Sequence, residues 1–118
     1  MKEECKVIFR TSGDVLTAAI TGEVDHHGAR RIRAKIDEEV MTERPRGLVL
    51  DLSRVSFMDS SGIGLILGRF SKASEMGMSF AVSNPSDGTK KILDLAGMDR
   101  IVRIVCGKYR DERGEKAV

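Results

Sequence analysis

Apolar positions along this chain change period repeatedly, and each change marks a new element. Cys5 to Arg10 and Val15 to Thr21 alternate as strands do, with Thr11-Ser12-Gly13-Asp14 between them as a hairpin turn, and Gly22 is expected to break the second strand. From Gly28 to Glu43 the spacing becomes three and four. Ala29, Ile32, Ile36 and Val40 then form one helical stripe. The outward side of that helix carries Arg30, Arg31, Arg33, Lys35, Asp37, Glu38 and Glu39, read as a solvated face with local ion pairs and not as a binding patch. Leu48-Val49-Leu50-Asp51-Leu52 is a short, nearly continuous apolar run, expected to be a strand covered on both faces, and Ser53 to Asp59 reads as the turn after it. A second helix is predicted from Ser61 to about Met76, with Ile63, Ile66, Leu67, Phe70 and Ala73 on one face and Gly77 at its end. Ser79 to Ser83 is a further strand. The breaker Asn84-Pro85-Ser86-Asp87-Gly88 precedes a third helix that closes at Gly97, and Ile101 to Val105 is a candidate edge strand.

A hairpin followed by β-α-β-α-β predicts a single α/β domain: a mixed four- to five-stranded sheet, parallel through the crossovers, with helices packed against it. The domain is expected over residues 1–107, with 108–118 a charged tail or short helix. In such sheets the working surface lies at the carboxyl ends of the strands. The loop after Thr21, holding Asp25, and the loop after Leu52, holding Ser60, should therefore be neighbours.

Composition narrows the function. A chain of 118 residues has room for one core, and 41% apolar with 32% charged residues is an ordinary globular balance. The formal charge of +2 is too small to argue for nucleic acid or an anionic membrane as direct partner, and four Phe, one Tyr and no Trp supply a base-stacking platform poorly. Cys5 and Cys106 have no metal-site spacing and suggest no disulfide framework. With no long apolar run and no signal-peptide core at Met1 to Cys5, a reduced, cytoplasmic setting is expected.

The chemistry centres on Phe57-Met58-Asp59-Ser60-Ser61-Gly62-Ile63-Gly64, which sets two hydroxyls where a strand gives way to a helix. A helix N-terminus offers unpaired N–H groups and a positive dipole end. Ser60 there is a plain cap, a nucleophile or a phosphorylation site. One cap does not need three capping-type residues and two glycines, which favours a hydroxyl presented for modification. Gly62, Gly64 and Gly68 depart from the dinucleotide fingerprint, and no acidic residue ends the next strand to hold a ribose. Gly64 and Gly68 read instead as surfaces where the helix approaches its neighbours closely. Asp25-His26-His27 lacks further ligands for a metal site, and a Ser-His-Asp hydrolase lacks the elbow pattern around Ser60. The methionines are mostly gap-fillers, with Met58 a candidate soft contact beside the serine.

Two segments carry a resemblance: Gly22-Glu23-Val24-Asp25-His26-His27, and Phe57 through Gly62 onward to Ile63-Gly64-Leu65-Ile66-Leu67-Gly68-Arg69-Phe70. They resemble the STAS-domain anti-sigma factor antagonists, especially those of the sporulation sigma-F type, over about Val15 to Val105. The resemblance implies partner switching without catalytic turnover or a cofactor. In that family the unphosphorylated antagonist binds an anti-sigma factor that is also an ATP-dependent serine kinase, and so frees the sigma factor. The kinase phosphorylates the antagonist, and a PP2C-type phosphatase reverses this. By motif position the modified residue is Ser60. The matched segments give Asp25, His26, Met58, Asp59, Ser61 and Gly62 as the expected partner-binding residues.

Overall fold

The computed structural model describes residues 3–106, so the expected tail over 108–118 lies outside the described residues. Strands β1 (Lys6–Ser12) and β2 (Val15–Val24) form the hairpin, and α1 (His26–Glu43) leads to β3 (Gly47–Met58). Helix α2 (Ser60–Glu75), β4 (Ser79–Ser83), α3 (Asp87–Leu95), a 3-10 turn (Met98–Arg100) and β5 (Arg103–Val105) complete the domain. The sheet has five strands in the order β1-β2-β3-β4-β5, antiparallel between β1 and β2 and parallel thereafter. This is the mixed sheet expected of the alternating pattern.

Right-handed crossovers that advance one strand at a time in the same direction leave the helices on one face. That face is the core. Leu16, Ala18, Ile20, Leu50, Leu52 and Val82 of the strands are fully buried with Ile36 of α1, Ile66 of α2 and Leu93 of α3. The stripe read from α1 is the buried one, Ala29, Ile32, Ile36 and Val40 together with Gly28. Phe70 of α2 meets Phe80 of β4 edge to face at 5.8 Å, fixing the helix over the sheet. The opposite face pairs small and polar residues across strands, Thr17 with Val49 and Ala81, and Ala19 with Asp51. Leu48, Leu50 and Leu52 are buried while Val49 and Asp51 are half-buried, so β3 is fully covered on one side only.

Two strand ends differ from the sequence expectation. Gly22 does not stop β2. It sits at a register irregularity with φ 89°, and the strand continues to Val24. A Cβ there would collide with the Glu4 backbone carbonyl, because the N-terminal segment crosses at this point and Glu3 O accepts from Glu23 N at 3.2 Å. Likewise Ser53 to Met58 is not a turn but the second half of β3. The register shifts against β2 leave Leu52, Val55 and Met58 buried at intervals of three, a spacing that does not read as a strand.

Candidate functional site

The carboxyl ends of β2 and β3 lie side by side, with Val24 opposite Met58 and Asp59 N donating to Val24 O at 3.4 Å. Each strand passes directly into a helix through an aspartate. Asp25 is the N-cap of α1, its Oδ1 accepting from Gly28 N at 2.8 Å. Asp59 is the N-cap of α2, its Oδ1 accepting from Ser61 N at 2.8 Å. Both are extended, as a cap requires, and each such bond is worth about 1 kcal/mol. The two loops expected to be neighbours are therefore joined as a matched pair of helix starts.

Ser60 occupies the first position of α2 and is exposed, and its hydroxyl has no hydrogen-bond partner among the described residues. The cap is Asp59, so Ser60 is left free of that role. Ser61 is half-buried. His26 is exposed and its ring stands edge-on to His27, with centroids 5.7 Å apart. The turn divides two surfaces. His27 borders a hollow with Glu3, Glu4, Glu23 and Asp25, while His26 borders a groove with Arg30, Arg33 and Ser61.

Met58 and Gly62 are not surface contacts. Met58 is 1% exposed, and Gly62 is buried against it, so that a Cβ on Gly62 would stand 2.7 Å from Met58 Sδ. Together they support the serine turn from below. The exposed apolar side chain here is Phe57, 49% accessible, next to the buried Met58 in the irregular half of β3. Gly64 and Gly68 also differ from expectation: a Cβ at either would meet nothing within 4 Å, so neither marks a close helix approach. This predicts opposite signs for alanine at two motif glycines. Gly68→Ala should stabilise by about 0.5–1 kcal/mol through helix propensity, whereas Gly62→Ala should destabilise by about 1–3 kcal/mol through the clash with Met58. Urea titrations of the two variants read the difference.

Among the described residues no three His, Cys, Asp or Glu side chains come together as a metal site. No helix there is long and apolar enough to cross a membrane. Burial raises the Cys5 thiol above its ordinary pKa, more than the nearby Arg31 lowers it, and Arg31 donates to the Cys5 carbonyl.

The STAS domain family matches residues 6–111. An anti-sigma F factor antagonist of Paenibacillus polymyxa is 36% identical over 90 residues, covering 76% of this chain and 77% of its own. The chain belongs to the STAS-domain anti-sigma factor antagonists. An anti-sigma-B factor antagonist of Bacillus subtilis is 32% identical over 85 residues, covering 72% of this chain and 76% of its own. Among solved structures, the antagonist SpoIIAA in its unphosphorylated form superposes with a TM-score of 0.75 at 27% identity, covering 87% of this chain and 89% of that one. The phosphorylated form of SpoIIAA superposes with a TM-score of 0.69 at the same identity. The five-stranded sheet with three helices is thus the STAS fold, and the family is one of regulatory binding proteins.

Proposed function

We propose that this antagonist is a phosphorylation-operated partner switch. Its unphosphorylated form binds an anti-sigma factor that is also an ATP-dependent serine kinase, so that a sigma factor is released. Phosphate on Ser60 ends that binding, and a PP2C-type phosphatase restores it, all within the cytoplasm. The observation that carries the reading is the exposed, unpartnered Ser60 hydroxyl beside a carboxylate already spent on the cap. Phosphorylated and unphosphorylated forms of the structural relative SpoIIAA agree with such a cycle. The α2 N-terminus tolerates added negative charge, so modification leaves the fold intact. Asp25, one strand away, extends the same surface, with His26 and Phe57 at its margins.

The sigma-F branch is favoured by the 36% identity to the Paenibacillus polymyxa protein, against 32% to the sigma-B antagonist. A sporulation sigma factor is accordingly the expected beneficiary. Incubation with the anti-sigma kinase and ATP, followed by peptide mass spectrometry, should place one phosphate on Ser60 and none on Ser60→Ala. Phosphate on Ser61, or modification of the alanine variant, would show the assignment to be wrong.

A further inference from the structure

The outward face of α1 is not uniformly solvated. Arg31 lies 3.7 Å from Glu4, and Asp37 lies 2.9 Å from Arg69 of α2. Arg30 and Arg33 have no ion pair among the described residues. Both line the groove between the first turns of α1 and α2, with His26, Ser61, Gly64 and Leu65. The groove holds about 300 Å³, and among the described residues no acidic side chain lines it. Its floor is apolar, buried Leu65 and Ala29, and it stays open because Gly64 has no side chain to fill it. The positive end of the α2 dipole adds to the two guanidiniums.

We propose that this groove receives an acidic segment of the anti-sigma factor, with carboxylates on Arg30 and Arg33 and an apolar side chain over Gly64. The inference rests on the partner-switch reading and identifies what the partner must bring. Two unpaired guanidiniums over an apolar floor match a mixed acidic and apolar peptide surface. A nucleic acid fits less well, given the net charge of +2 and the lack of any Phe, Tyr or Trp among the described residues that line the groove. The same placement explains why a phosphate at Ser60 is effective. It stands one residue from Ser61 in the groove wall, where it repels the incoming carboxylates.

Calorimetric titration of the cognate anti-sigma factor into four variants tests this. Arg30→Glu/Arg33→Glu should bind at least about tenfold more weakly and show a flatter dependence on salt, as loss of a charge-complementary contact requires. Arg30→Lys/Arg33→Lys should lose clearly less than the reversal variant, because charge is kept and only the guanidinium fork is lost. Gly64→Leu should also lose about tenfold by filling the groove, while its thermal stability holds or rises, since leucine is the better helix former. Reversal and plugging variants that bind like wild type, while Ser60→Asp does not, overturn the groove proposal alone. So does a reversal variant that loses only binding to a single-stranded oligonucleotide. Wild type that does not bind the anti-sigma factor overturns both readings. Ser60→Asp that binds like wild type, beside a reversal variant that fails, supports the groove and overturns the switch.

Discussion

Ser60→Asp should weaken binding to the anti-sigma factor by about a hundredfold or more, and Ser60→Ala should change it by less than about threefold. A hundredfold is about 2.8 kcal/mol, and burying an uncompensated anion in a protein interface costs several. The side chain itself is small, so removing the hydroxyl alone forfeits at most one hydrogen bond, worth about 1 kcal/mol when it is made. The charge must act on binding and not on folding. At the first position of α2 a carboxylate gains about 0.3–1 kcal/mol from the helix dipole, offset in part by the negative charge of Asp59 beside it. The melting temperature of Ser60→Asp should therefore stay close to that of wild type. Titration calorimetry and a thermal melt on the same preparations separate the two effects. An aspartate variant that binds normally would remove charge as the operating principle of the site.

The site was legible in sequence where its chemistry is local. The turn before α2 shows three capping-type residues in sequence, and the structure gives the cap to Asp59, as it gives that of α1 to Asp25; parallel strands feeding those helices set them side by side. The surface those caps carry was less legible, because it depends on register. Phe57 and Met58 are adjacent and both apolar, and only the pairing of β3 with β2 decides that Met58 goes in and Phe57 out. The irregularities after Ala19 and Gly22 shift that pairing, so the second half of β3 lacks a period of two and reads in sequence as a turn. A charged residue on a buried stripe is hidden for another reason. Arg69 lies between Ile66 and Ala73 on the covered face of α2, where periodicity assigns an apolar position. Its partner Asp37 sits among surface charges of α1. Neither residue alone marks the other. Arg30 and Arg33 read in sequence as ordinary solvated charge, since only the approach of Gly64 and Leu65 from α2 sets them along a groove.

Asp37→Ala should destabilise the domain by about 3 kcal/mol, more than expected for any other single ion-pair partner in the described fold. The Arg69 side chain is 8% exposed and its Nε lies 2.9 Å from Asp37 Oδ1, but the approach is not aligned as a hydrogen bond and Nη1 has no partner among the described residues. Burial lowers the Arg69 pKa and Asp37 partly restores it, so the cation depends on that carboxylate for compensation. Arginine does not discharge by losing its proton near neutrality, so removing Asp37 strands a buried charge. The cost of breaking a buried pair is about 3–5 kcal/mol, and the 28% exposure of the Asp37 side chain sets the expectation at the lower end. The exposed pairs, such as Lys90 with Asp94 at 3.1 Å, should cost far less when broken, because water solvates both charges. Replacing both partners with apolar residues, Asp37→Leu with Arg69→Met, should return the stability to within about 1 kcal/mol of wild type, since no stranded charge remains. Urea midpoints at unchanged slope measure both variants. A loss below about 0.5 kcal/mol in Asp37→Ala would mean that solvent reaches the guanidinium and that the pair does not tie α1 to α2. If the tie holds, the Asp25 cap and the groove arginines on α1 keep a fixed position relative to Ser60 on α2, so the partner meets one rigid surface.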